Sequence, residues 1–303
     1  MKVSKLISLF AIMAISCQNF DYSSKGKDVP TAGNIVIGVD QGDSFLITEE
    51  LDYFHQDYPK AKIRPKFLCE IALLRQLQQD SMRFVVMNRD FTKSEKENLE
   101  RRDILVRSEK IAETSIAVIC HKSNRIDSIT QAMLKQILAG KMQVWPNSEP
   151  IATLFDGACG SNYEYLAKVF LKGKIEAANL GSFNNPKQLI DYVSSHPNAI
   201  GFVGLNWISD RTDAQSANLA SMVKVLKVEN VKDKLFYLPF QSQIKAKLYP
   251  FVQTVYMHDL QGYNGLAKGF ISFVASQPGQ ILIKRSGLIP AHDYGRTIFI
   301  ESE

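Results

Sequence analysis

The sequence predicts an α/β protein of two lobes, built on mainly parallel mixed sheets covered by helices. Three observations predict it. Short apolar runs alternate with stretches of helical periodicity from residue 34 onward. Helix-opening signals stand where those runs end. A late apolar segment, "YPFVQTVYM" (249–257), can carry the chain back to the lobe where it began.

Each element has its own reason. "NIVIGVD" (34–40) reads as a buried strand, and Ile47, Leu51, Phe54 and Tyr58 then recur at helical spacing with Asp43 or Ser44 as the cap. The unit repeats as "AKIRPKFL" with "CEIALLRQLQQ", and as "MRFVVMN" with a helix opened by Thr92 and Glu95, a capping box. The strand region "DILVRSEKIAETSIAVICHK" (103–122) leads to "SITQAMLKQILAG", a helix with Ser128 and Gln131 as its capping box and Gly140 just past its end. The second lobe continues with the strand "PIATLF", the loop "DGACGSNYEY" (156–165), helices at 162–172 and 186–195, and the strand "AIGFVG". Asn185 caps the second of these helices, with Pro186 in its first turn. The helix "YNGLAKGFISFVASQ" and the strand "RTIFIE" complete the first lobe. The expected division is 34–116 plus 255–303 for lobe I and 117–254 for lobe II, with a hinge near 112–118 and 250–255.

The first residues carry an address. Lys2 and Lys5 precede "LISLFAIMAIS", too short to span a bilayer, and the run ends in "AISC". Small residues before a cysteine are what a bacterial lipoprotein signal requires, so residues 1–16 read as a signal peptide and Cys17 as the lipidated residue. Residues 17–33 are polar and without periodicity, which suits a flexible tether. The expected location is the cell envelope, anchored by lipid to a bacterial membrane and facing the periplasm. Losing Lys2 and Lys5 with the signal lowers the formal charge from +5 to +3, and no Lys/Arg-rich run appears, so nucleic acid is not an expected partner.

Cys69, Cys120 and Cys159 remain. An odd, sparse set is no disulfide framework; three partly buried thiols are expected, with a single bridge left open. An enzyme using Cys159 as nucleophile with His121, His196 or His258 as base would need a signature, and G-x-S-x-G, H-E-x-x-H and Walker A patterns are all missing from the sequence. Cys120, His121 and Cys159 lack the paired spacing of structural zinc. Neither catalysis, a metal nor a cofactor is expected.

Several segments resemble the binding proteins of phosphate transporters. "ITQAMLKQILAGKMQVW" resembles their helix followed by Gly-Lys and a Trp, and "NAIGFVGLNW" is similar to their Ala-Ile-Gly-aromatic-Val-Gly strand. "LYPFVQTVYM" resembles their return strand, and "ASQPGQILIKRSGLIP" their Ser-x-x-Gly-Gln ending before a Gly-hydrophobic-x-Pro turn. The resemblance runs in consistent order from about 34 to 290. It implies a type II periplasmic binding protein, a monomer with two α/β lobes on a hinge. Such a protein captures phosphate or a related oxyanion and hands it to the permease of an ABC importer. The alternative is the same fold serving as a sensor or surface-interaction lipoprotein that does not bind phosphate.

In open α/β sheets a ligand sits beyond the carboxyl ends of the strands, facing helix N-termini. Four such junctions exist here, at 40–46, 68–71, 87–92 and 156–162. In the last, Gly157, Ala158 and Gly160 let the backbone come close, and Ser161 and Asn162 add donors, although an ordinary capping loop looks much the same. By the resemblance, Ser44 and Phe45 match the family's first loop. Cys69 and Glu70 stand where its second loop has a serine, and Asn88 followed by Arg89 where its third has an aspartate. Cys159, Gly160 and Ser161 replace its Ser-Gly-Thr, with Phe155 near its arginine. The expected ligand-binding residues are therefore Ser44, Phe45, Asn88, Arg89, Cys159, Gly160, Ser161 and Asn162. Arg89 would neutralise charge, Glu70 would point away at its helix start, and Asp43 or Glu70 could replace the missing proton acceptor.

Overall fold

One strand runs through both lobes and organises everything else. The computed structural model describes residues 28–146, 149–157 and 159–294. The signal peptide, Cys17, Ala158, most of the tether and the "RTIFIE" strand lie outside the described residues. The chain forms β1 (Gly33–Asp40), α1 (Ser44–Asp57), β2 (Ala61–Leu68), α2 (Glu70–Gln78), β3 (Phe84–Met87), α3 (Lys93–Glu100) and β4 (Arg107–Cys120). There follow β5 (Ser128–Ile129), α4 (Gln131–Leu138), β6 (Ala152–Phe155), α5 (Ser161–Tyr165), β7 (Leu180–Ser182), α6 (Pro186–Ser195), β8 (Ala199–Gly204) and α7 (Ala214–Met222). After β9 (Lys224–Val225), β10 (Lys227–Glu229), β11 (Phe236–Tyr237) and α8 (Gln241–Lys245) come β12 (Val252–Asp259), α9 (Leu266–Ala275), α10 (Gln277–Arg285) and β13 (Ile289–Pro290).

The long sheet has the order β2-β1-β3-β12-β4-β8-β6-β7. Parallel pairs lie at both flanks, β2-β1-β3 and β8-β6-β7, as β–α alternation requires. The middle is antiparallel, because the returning β12 enters between β3 and β4. Strand β4 changes partner at one point: Ser115 still pairs with Val252 of β12, and Ile116 already pairs with Gly204 of β8. Pro65 is accommodated because β2 is an edge strand, where a missing N–H costs no ladder bond.

The local signals explain the helices. Thr92 and Glu95 form the expected reciprocal capping box on α3, and Asn185 accepts from the amide of Lys187 at the start of α6. The cap of α4 differs from expectation: Thr130, not Ser128, accepts from the amide of Met133. Ser128 is unavailable because it pairs with Lys227 in the small sheet β11-β10-β5. The helix expected over 162–172 is α5 continued by a π-helical stretch, Leu166–Leu171, which stops at Lys172 in a left-handed conformation (φ 56°).

Lobe I packs Phe54 of α1 against Phe270 and Phe273 of α9, at ring separations of 5.3 and 5.4 Å. Lobe II stacks Phe155 of β6 on Phe202 of β8 at 5.0 Å. Among the described residues no helix is long and apolar enough to cross a membrane.

Candidate functional site

Three strand ends and one helix start meet between the lobes. Asp40 is the last residue of β1, Asn88 follows β3, Asp156 follows β6, and Ser161 opens α5. All four side chains are buried. The Asp40 carboxylate accepts from the Gly42 amide (3.0 Å), the Ser161 hydroxyl (3.1 Å) and the Ser161 amide (3.3 Å). Asn88 Nδ2 donates to Ser161 Oγ at 2.8 Å, and Asn162 Nδ2 donates to Asp156 Oδ2 at 2.8 Å. Lobe II also grips the Gly42 carbonyl, through Asn206 Nδ2 (3.0 Å) and Trp207 Nε1 (2.9 Å). From β12, Gln253 donates to the Ser161 carbonyl at 3.1 Å. The lobes are closed upon each other, and the site has no exposed member.

The electrostatics are unlike those of an arginine-based anion site. Asp40, Asp43 and Asp156 are each about 1–3% exposed, and no lysine or arginine hydrogen-bonds or ion-pairs with them among the described residues. Burial pushes the Asp40 carboxyl up to about 6, with Glu70 adding to the rise and the hydrogen bonds from Gly42 and Ser161 opposing it. Burial, then the negative charge of Asp40, pushes Asp156 up to about 7. Burial followed by Asp40 and Asp156 raises Asp43 well above the usual carboxylate range. Acceptors outnumber donors: Asp43 Oδ2, Asn88 Oδ1, Asn162 Oδ1 and Asn206 Oδ1 are buried without a hydrogen-bond partner. A carboxyl that gains a proton becomes a donor, so protonation is the one change that rebalances this site from within.

The structure brings Asn88 together with the Gly160–Asn162 stretch, whereas Ser44 lines the neighbouring cavity. Ser44 Oγ donates to the Gln41 carbonyl, and Phe45 packs on Trp207 of the opposite lobe at 5.6 Å. Arg89 is a correction. Its Nε donates to Glu70 at 2.7 Å and its two terminal nitrogens to Glu95 at 2.8 and 2.9 Å, so its charge is engaged within lobe I and does not face the cleft. Glu70 is correspondingly buried, 4% exposed, against Arg89 rather than turned to solvent. Beneath them His258 is wholly buried, and desolvation pushes its imidazole down to about 4. Its Nε2–H donates to the Arg89 carbonyl and its Nδ1 accepts from Ser108.

Cys159 is a second correction. It forms a disulfide with Cys69, so neither is a thiol or a ligand; only Cys120 is a free cysteine among the described residues, buried and pushed up to about 11. Sequence spacing cannot predict this pairing, because 90 residues separate the two cysteines and the fold alone brings their Cα atoms to 5.4 Å. Asp40, Asp156, Asn206 and Gln253 were missed. For the two aspartates a signal existed, since both stand at the carboxyl ends of strands where ligands of open sheets gather.

A cavity of about 450 Å³ opens beside the site, lined by Gln41, Ser44 and Phe45 on one side and Asn185, Trp207 and Asp213 on the other. A larger one, about 670 Å³, is lined by Leu205, Asp210 and Phe240 and includes none of the cleft aspartates. Among the described residues no cluster of three or more His, Cys, Asp or Glu is arranged to hold a metal ion.

A family model described as the PBP superfamily domain matches residues 28–278. No curated protein matches the chain. Among solved structures, the chain is similar to a protein of Clostridium perfringens described as a phosphate ABC transporter substrate-binding protein with bound phosphate. There the TM-score is 0.71 at 19% identity, over 86% of this chain and 100% of that one. An ABC-type phosphate transport receptor of Vibrio cholerae aligns with a TM-score of 0.64 at 16% identity, over 84% and 99% of the two chains. A phosphate-binding protein of Stenotrophomonas maltophilia gives 0.62 at 12% identity, over 86% and 91%. At such identities the likeness is one of fold.

Proposed function

Because the chain belongs to the PBP superfamily, we propose that it is an extracytoplasmic solute-binding lipoprotein that captures phosphate or a related oxyanion and delivers it to an ABC importer. The observation that carries this reading is the convergence of Asn88 from lobe I with the Ser161 amide and hydroxyl from lobe II on one buried point. Amides and hydroxyls that converge beyond strand ends are donors to an oxyanion. In the closed form the Asp40 carboxylate, itself an oxyanion, occupies the Ser161 amide. The phosphate-binding proteins among the similar solved structures support phosphate as the ligand. The signal read at Lys2–Cys17 supports lipid anchoring, and lobes divided at Ser115–Ile116 and Phe251–Val252 would swing about those points.

Charge sets a condition on this function. An oxyanion entering beside ionised Asp40, Asp43 and Asp156 is repelled, whereas carboxyls that have taken up protons donate to its oxygens. Capture is therefore linked to proton uptake, and affinity should fall as pH rises through the range in which Asp40 and Asp156 ionise, about 6 to 7.

Thermal unfolding of the protein with phosphate, sulfate and a panel of organic anions, at pH 5.5 and pH 8 and matched ionic strength, tests the reading. Phosphate at a hundred times its dissociation constant stabilises by about 2.7 kcal/mol, and at one fixed concentration the shift should be larger at pH 5.5 than at pH 8. If no anion shifts unfolding at either pH, whether the Cys69–Cys159 disulfide is intact or reduced, the capture of oxyanions is refuted and the fold serves as a sensor or interaction lipoprotein.

A further inference from the structure

The Cys69–Cys159 disulfide joins the two lobes at the mouth of the cleft. Cys69 immediately precedes α2 in lobe I, and Cys159 stands two residues before Ser161 in lobe II. Cα atoms of a disulfide pair stay within about 7 Å, so the bridge forbids the lobes from separating at this edge. Yet Asp40, Asn88 and Ser161 are buried, and a ligand reaches them only when the lobes part. The same closed arrangement places the Asp40 carboxylate on the Ser161 amide, where an oxyanion would bind. Both bridging cysteines are half-buried, in contrast to the wholly buried Cys120.

We propose that this disulfide is a redox-controlled lock on the ligand cleft: oxidised, it holds the protein shut upon Asp40, and reduction by a dithiol protein or small dithiol frees the lobes to open and load. The proposal rests on the solute-binding reading. A thiolate of the reductant attacks Cys159 Sγ, and Cys69 leaves as a thiolate that takes up a proton. The second thiol of the reductant then displaces the Cys159 sulfur from the mixed disulfide. The protein gains two electrons and two protons, and the reductant departs as a disulfide. Cys69 is the better leaving group because it stands at the N-cap of the nine-residue α2, where no side chain caps the first amides and a thiolate is stabilised.

Hydrogen exchange of the full chain, followed by mass spectrometry, tests this in three forms: oxidised, reduced with dithiothreitol, and as the C69S/C159S double variant. Equilibrium dialysis with labelled phosphate at pH 5.5 accompanies it. Reduction should accelerate exchange at least tenfold in peptides covering 40–44 and 160–163, and leave 200–203 in β8 unchanged; the double variant should match the reduced protein. Phosphate should be retained by the reduced and double-variant forms and not by the oxidised one. If the reduced form opens but no form retains phosphate, the lock stands and the phosphate reading fails. The lock is overturned if exchange at the two loops does not change, if β8 accelerates equally, or if oxidised protein retains phosphate as well as reduced protein does. In each of these cases phosphate retention by any form leaves the solute reading intact.

Discussion

Replacing Asp156 by asparagine removes one charge from the cleft while preserving shape. In the folded protein the Asp156 carboxyl titrates at about 7, against 3.8 for the unperturbed group. The folded state therefore holds this proton more tightly than the unfolded state. The stability it contributes is present at acid pH and lost as pH rises from about 4 to 7. At 1.36 kcal/mol per pKa unit, ionising it in place costs about 4 kcal/mol at pH 8. Asparagine has no such cost, and its carbonyl can still accept from Asn162 Nδ2 and the Gly204 amide. Its new amide enters a region with buried, unpaired acceptors. D156N should thus stabilise the protein by up to about 4 kcal/mol at pH 8, by about 1.6 kcal/mol at pH 5 and by little at pH 3.5. Urea denaturation followed by tryptophan fluorescence at the three pH values measures this. His258 acts in the opposite direction, since its depressed titration near 4 removes stability as pH falls below about 6.5, but it is the same in both proteins and cancels. An equal change at all three pH values, or none at pH 8, refutes the reasoning.

Other positions give sharp expectations. Glu50 is fully buried with both carboxyl oxygens unpaired and is pushed up to about 9, so E50Q should gain about 3 kcal/mol at pH 7 and nothing at pH 4, read by the same denaturation. R89A strands the Glu70 carboxylate, whose side chain is 5% exposed, and should cost about 3–5 kcal/mol in urea unfolding. A Cβ on Gly269 would lie 1.8 Å from the Pro30 carbonyl oxygen, so G269A must push α9 away from that segment and should lower stability by about 1–3 kcal/mol in a thermal scan.

The β–α alternation was legible because each buried strand is a short apolar run with a helix signal behind it. The Thr92 and Asn185 caps are local, fixed within three residues, and so were readable too. The Ser128 cap failed for a non-local reason, a strand pairing with residues a hundred positions away. The site divides along the same line. The strand-to-helix junctions single out Asn88, Ser161 and Asn162, and the fold does bring them into one buried hydrogen-bonded cluster. Arg89 was misassigned because its choice between cleft and Glu70 is settled by packing, and the Cys69–Cys159 bridge depends on how two lobes close. Asp40 lay at a strand end in plain view, but its hold on the Ser161 amide and hydroxyl depends on how the two lobes meet.

The insertion of β12 between β3 and β4 also bears on how the chain is made. Phe84–Met87 of β3 are all buried, and one of their two strand neighbours comes from residues 256–259. During synthesis from the N-terminus, the first lobe therefore emerges with an apolar strand lacking half of its ladder until some 170 further residues have left the ribosome. Lobe II, whose strands β6, β7 and β8 pair within a shorter span, can form earlier. The late strand is the one that closes the open edge, so a nascent chain of this design depends on protection of that edge for most of its translation.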